Sequence, residues 1–178
     1  MRPPARCSRI EQPALRCAQL EARRALNRID EHWAHDAQSL WRSSGKSLPD
    51  ACDAVFAVLQ AQGGMSDALR WERIDAAADA QQPAVMRSAA RGLPASDLAL
   101  ANTYAAFVDK PNASALNWPR NERSRRIATD GLAKLAKADP DATEQQLPQY
   151  AQALGLSAQQ QGQVRYQIAL WTVASYLP

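Results

Sequence analysis

Residues 45–56, Gly45-Lys46-Ser47-Leu48-Pro49-Asp50-Ala51-Cys52-Asp53-Ala54-Val55-Phe56, read as a turn that runs directly into a helix. Ser47 is placed as an N-cap, Pro49 falls in a first turn where its missing N–H is harmless, and Asp50 follows Ser47 as a variant capping box. Leu48, Cys52, Val55, Phe56 and Leu59 then share one helical face. The stretch also sets a cysteine near a helix N-terminus. Four roles are open to Cys52: nucleophile, metal ligand, half of a disulfide, or small core residue.

The helical reading extends outward in both directions. A chain of 178 residues is long enough for a domain with a sizeable core. Its hydrophobic share is 46% while aromatics supply only 6%, so alanine and leucine carry the apolar content, which favours helices. Sustained period-2 alternation and Asn-Gly or Asp-Gly hairpin turns are missing from the sequence. After Gly63-Gly64, a helix from Ser66 turns Trp71, Ile74 and Ala78 inward, and Pro83 opens a shorter one. Helices are expected downstream over 96–108, 122–137, 143–154 and 157–176, and upstream over 13–26 and 28–42. Pro94, Pro111, Pro119, Pro140 and Pro148 fall near helix edges. About nine helices with short connections result, and successive pairs take roughly 30 to 40 residues, the size of stacked helix-turn-helix units. Residues 1–9 are expected as a flexible basic N-terminus and 10–178 as a single α-superhelical domain. In the last helix Val164, Ile168 and Trp171 lie beside a second row of Tyr166, Leu170, Val173 and Leu177. So broad an apolar face predicts a covering element, and with it a fragment of a longer solenoid.

Lys and Arg number 21 against 18 Asp and Glu, a net charge of +3 that is too balanced to mark a nucleic-acid binder. No run approaches the roughly 18 apolar residues of a membrane span. The basic start, Met1 to Ile10, is followed by Glu11, Arg16, Glu21, Arg23 and Arg24 where a secretory signal would carry an apolar core. His32 and His35, with Asp36, have a spacing that can grip a transition metal, but they match no H-E-x-x-H order and read as surface histidines. As a nucleophile Cys52 lacks a nearby histidine, and Asp50 and Asp53 would raise its pKa. G-x-S-x-G and Gly-rich phosphate loops are absent from the sequence, and no cofactor or metal is expected. The candidate binding residues are Trp118, Arg120, Arg123 and Arg126, joined by Arg125 within residues 117–126. Such a patch can stack a sugar or base and hold anionic groups. In the competing reading, which is preferred, Trp118 closes a gap between helices and the arginines form a solvated face.

The order of residues in Trp41-Arg42-Ser43-Ser44-Gly45-Lys46-Ser47-Leu48-Pro49-Asp50-Ala51-Cys52-Asp53-Ala54-Val55-Phe56 closely resembles the W-x-S-x-G-K-S-L-P-x-A-C-D-x-x-F segment of bacterial soluble lytic murein transglycosylases. Trp71-Glu72-Arg73-Ile74 and Gly92-Leu93-Pro94 are similar to that family's E-R-I helix and L-P turn. The resemblance is specific over 41–94, continues as helix order to the C-terminal end and reaches upstream roughly to Cys17. It implies an all-α, irregular right-handed α-superhelix that in the family carries a separate lysozyme-like catalytic domain. The family's catalytic markers, a Glu-Ser pair, Gly-Leu-Met-Gln and Ala-Tyr-Asn, do not occur in this sequence. No glutamate here inherits the catalytic role, and the expected function is a noncatalytic scaffold in peptidoglycan turnover. Its partners would be glycan strands or a cognate catalytic domain or protein. A stand-alone helical-repeat adaptor for other proteins is the alternative.

The resemblance also implies a bond between Cys17 and Cys52, leaving Cys7 as the odd thiol. It implies the periplasm, an oxidising compartment where that bond persists. A chain that truly began at Met1 without a signal would instead stay in the cytoplasm with its thiols reduced.

Overall fold

A computed structural model describes residues 12–175, and among them every regular element is helical. The elements are α1 (Pro13–Ala25), α2 (Glu31–Arg42), α3 (Asp53–Ala61), α4 (Asp67–Asp79), α5 (Pro83–Ala90), α6 (Ala95–Asp109), α7 (Glu122–Ala138), α8 (Pro140–Leu154) and α9 (Ala158–Ser175). Short 3-10 turns at Asp50–Cys52 and Ala113–Asn117 precede α3 and α7. The expectation for residues 1–9, the thiol Cys7 and the face residue Leu177 all lie outside the described residues.

Local chemistry accounts for most of the boundaries. Asp30, Ser66, Asn121 and Asp139 each accept the N–H three residues on, at 2.8, 3.2, 2.8 and 2.9 Å, and so cap α2, α4, α7 and α8. Pro13, Pro83 and Pro140 open their helices at positions that need no N–H. Gly155, at φ 68°, ends α8 in the left-handed conformation. Gln81 takes the equivalent place after α4 at φ 55°, where a side chain is strained. Its Oε1 is also buried without a hydrogen-bond partner among the described residues.

The capping box expected from Ser47 and Asp50 does not form. Pro49 stands at ψ 146°, an extended conformation, and helical geometry begins only at Asp50, first as a 3-10 turn and then as α3. The face itself is as expected: Cys52, Val55 and Leu59 are fully buried, and Leu48 and Phe56 pack on the core from its edge. Pro148 also differs, standing inside α8 rather than at its end. It lies on the exposed side, where the carbonyl that loses its N–H partner can turn to water.

Packing runs between helices that are neighbours in sequence. α1 rests on α2 and α3, α2 on α3 and α4, α4 on α5, α6 and α7, α5 on α6, α6 on α7, α7 on both α8 and α9, and α8 on α9. Such a stepwise progression is that of a solenoid. Its middle is an aromatic cluster: Trp118 meets Tyr104 and Phe107 edge-on at centroid distances of 4.6 and 5.0 Å, and Phe107 meets Tyr150 at 6.0 Å. Gly131 of α7 lies directly against the Phe107 ring and leaves no room for a Cβ.

The buried disulfide between Cys17 and Cys52 ties the middle of α1 to the turn before α3 across 35 residues. At the other end, Val164 and Ile168 of α9 are buried, while Tyr166, Leu170 and Val173 are 65%, 45% and 60% exposed. The second apolar row read from the sequence is therefore bare where it is described.

Candidate functional site

Periodicity alone did not place two of the most buried polar groups in the molecule, the α4 residues Arg70 and Arg73, which are 4% and 5% exposed. Arg73 donates from Nη1 to the carbonyls of Trp41 (2.6 Å) and Ser44 (3.0 Å), and from Nη2 to that of Lys46 (3.2 Å). Its guanidinium also lies over the Trp41 ring, 4.8 Å from the centroid. One cation thus satisfies the orphan carbonyls where α2 ends. Trp41 returns the contact by donating from Nε1 to the Leu69 carbonyl at 3.0 Å. Gly45 presses against the Ala76 carbonyl, so the backbone of the turn reaches α4 only because no Cβ intervenes. Arg70 donates to the Ala89 carbonyl at 3.3 Å, and Gly92, at φ 96°, folds its chain against the Arg70 guanidinium. Trp41, Gly45, Cys52, Arg73 and Gly92, five of the residues that carry the family resemblance, are joints between successive helices.

The arginine patch divides. Trp118 is only 6% exposed, wedged between Tyr104 and Phe107, and donates from Nε1 to Thr103 Oγ1 at 3.0 Å. It closes a gap between helices and presents no free ring face to a sugar. Arg120 caps the end of α8, donating from Nε to the Ala153 carbonyl (2.8 Å) and from Nη2 to that of Gln152 (3.0 Å). Arg123 grips Asp75 of α4 in a bidentate pair at 2.7 and 2.9 Å and stacks on Trp71 at 4.4 Å. Hydrogen bonding to Asp75 raises the Arg123 pKa further above its ordinary value, outweighing burial. Arg126 reaches Asp75 and Asp79, each at 3.0 Å. Beneath them Tyr104 Oη and Ser124 Oγ are 2.7 Å apart, and burial pushes the Tyr104 hydroxyl up.

Arg126 also borders a polar cleft of about 500 Å³ between α7 and the start of α9. Glu122, Arg125 and Asp130 of α7 face Ser157, Gln160 and Gln163 across it. Glu122 accepts from Arg125 at 3.3 Å and from Gln160 Nε2 at 3.4 Å. Asp130 has no hydrogen-bond partner among the described residues, and burial holds its carboxyl above the usual range, with Asp79 adding and Arg126 opposing. A carboxylate so raised is penalised in the folded state at neutral pH, and the penalty lifts as pH falls through its folded pKa. Asp130→Asn is therefore expected to raise the urea midpoint at neutral pH, by an amount that shrinks on acidification. Parallel midpoints for variant and parent across the carboxylate range would contradict this.

His32 and His35 project from α2 into solvent, His35 being 80% exposed, while the Asp36 carboxylate accepts from Arg23 at 2.7 Å. No group of three potential metal ligands gathers anywhere among the described residues.

Stacked helical hairpins, joined by buried arginines, close-packed glycines and one disulfide, place the chain in the class of α-solenoids. Within that class it is similar to the soluble lytic murein transglycosylases. It is 30% identical to the Escherichia coli protein of that name over 146 residues, which are 80% of this chain but 22% of the relative. The corresponding protein of Salmonella typhimurium is 27% identical over 159 residues, 87% of this chain and 24% of that one. The crystal structure of the 70 kDa soluble lytic transglycosylase from Escherichia coli superposes with a TM-score of 0.81 at 25% identity, over 93% of this chain and 27% of that one. The chain thus spans about a quarter of the length of the relatives it matches. No protein-family model matches it.

Proposed function

We propose that the chain is a noncatalytic superhelical scaffold of peptidoglycan turnover in the periplasm, one portion of a longer solenoid that guides a glycan strand for a catalytic domain. One observation carries the reading: Trp41, Gly45, Cys52, Arg73 and Gly92, which lie in the stretches that resemble lytic transglycosylases, serve as helix joints. The side bearing Arg120, Arg123 and Arg126 faces the glycan, with Trp118 supporting it from below. Arg126 and the polar cleft beside it offer donors and acceptors suited to sugar hydroxyl and acetamido groups. No helix among the described residues is long and apolar enough to cross a membrane.

Co-sedimentation with purified peptidoglycan tests this. The parent chain should pellet with the sacculi, and Arg120→Ala and Arg126→Ala should each lower the bound fraction. Binding no better than that of an unrelated protein of similar charge would sink it.

The bare apolar row of Tyr166, Leu170 and Val173 supports two further readings. In the longer solenoid the next helical pair covers it. In a stand-alone adaptor a partner protein does so.

A further inference from the structure

A small cavity of about 200 Å³ opens where α2, α3, α4 and α5 meet. Six of its nine lining residues, Trp41, Ser47, Leu48, Asp53, Phe56 and Arg73, belong to the stretches that carry the family resemblance. The joints described above employ Trp41 and Arg73 but give no task to Ser47, Asp53 or the exposed edge of Phe56.

The charges of this cavity are unusual. Arg73 is 5% exposed, yet among the described residues no carboxylate lies within 4.0 Å of it. Its three hydrogen bonds use both Nη1 protons and one on Nη2, which leaves the Nε–H and one Nη2–H without a protein acceptor. A carboxylate can accept from such a charged donor. Exposed at the same cavity stands Asp53, which forms no ion pair among the described residues. A buried cation and a rim anion therefore share one cavity without pairing with each other. The hydroxyls of Ser47 and Ser88 and the apolar surfaces of Leu48, Phe56 and Val85 complete the walls.

We propose that this cavity binds a free amino acid with an apolar side chain, its carboxylate on Arg73, its ammonium at Asp53 and its side chain against Phe56 and Val85. A simple carboxylate would meet the repulsion of Asp53, and a simple amine that of Arg73, so the zwitterion is the species both charges accept. The volume is below that of ordinary drug-sized pockets, which restricts the ligand to amino-acid size.

The test uses the oxidised full chain and three probes of one shape: leucine, isocaproate, which lacks the ammonium, and isoamylamine, which lacks the carboxylate. In ¹⁵N NMR titrations leucine should saturably shift the Trp41 indole and the Ser47 and Ser88 amides. Isocaproate and isoamylamine should each bind about tenfold more weakly or less, the loss expected for one charge-assisted contact. Asp53→Asn, an exposed substitution that leaves the fold intact, should erase the preference for leucine over isocaproate. Ser88→Trp, also at the surface, should fill the cavity mouth and abolish binding at unchanged Tm. Absence of saturable shifts at these three residues overturns the proposal. So does equal binding of leucine and isocaproate by the parent chain, or leucine binding that survives Ser88→Trp.

Discussion

Trp118→Ala is expected to lower folding stability by about 3 to 5 kcal/mol, the range for deleting a large buried aromatic. The indole is 6% exposed and touches two other rings, so truncation opens a cavity at the centre of the solenoid and removes the hydrogen bond donated to the Thr103 hydroxyl. A tryptophan that served only as a sugar platform would behave differently, since surface substitutions usually change stability by less than about 0.5 kcal/mol. Urea unfolding followed by circular dichroism separates the two cases. A midpoint within error of the parent would mean that Trp118 packs far more loosely than its contacts indicate. Trp118→Phe, which keeps most of the ring area but loses the Nε1 donor, should fall between parent and alanine variant.

Which parts of the molecule the sequence announced follows from where their signals reside. Helix positions were legible because caps and periodicity act within a few residues: Ser66 and Pro83 mark the starts of α4 and α5 on their own. The misses all depend on distant partners or on geometry finer than a pattern. Pro49 looked like the first turn of a helix, but the extended ψ it adopts delays α3 to Asp53 through a 3-10 turn. Pro148 looked like a boundary and is tolerated inside α8 because it faces solvent. Arg70 and Arg73 drew no structural reading, since nothing near them in sequence reveals that carbonyls 19 to 32 residues away will accept their hydrogen bonds. The same limit applies to the candidate site. Arg123 and Arg126 stood out as a cluster, but their acceptors Asp75 and Asp79 lie 47 to 51 residues upstream, and Gln160 joins Glu122 from 38 residues downstream.

The largest expected effect in the N-terminal half comes from breaking the bond between Cys17 and Cys52. Closing a loop of 35 residues limits the unfolded chain enough to contribute roughly 3 to 4 kcal/mol in the chain-entropy view. α1 depends on it more than the other helices do. Among the described residues it packs on α2, α3 and the turn at Asp50–Cys52, and Leu15 and Leu26 on it are 52% and 68% exposed. Comparing the oxidised chain with Cys17→Ser/Cys52→Ser, in a Cys7→Ser background that prevents exchange, should show a urea midpoint lowered by about that free energy. Hydrogen exchange should then speed up first in α1, before the aromatic cluster around Trp118 loses protection, because α1 is joined to the rest only at its α2 and α3 contacts. Equal stability of the two forms, or three titratable thiols in chain folded under oxidising conditions, would remove Cys52 from its place as the covalent clamp and return it to the role of a small core residue.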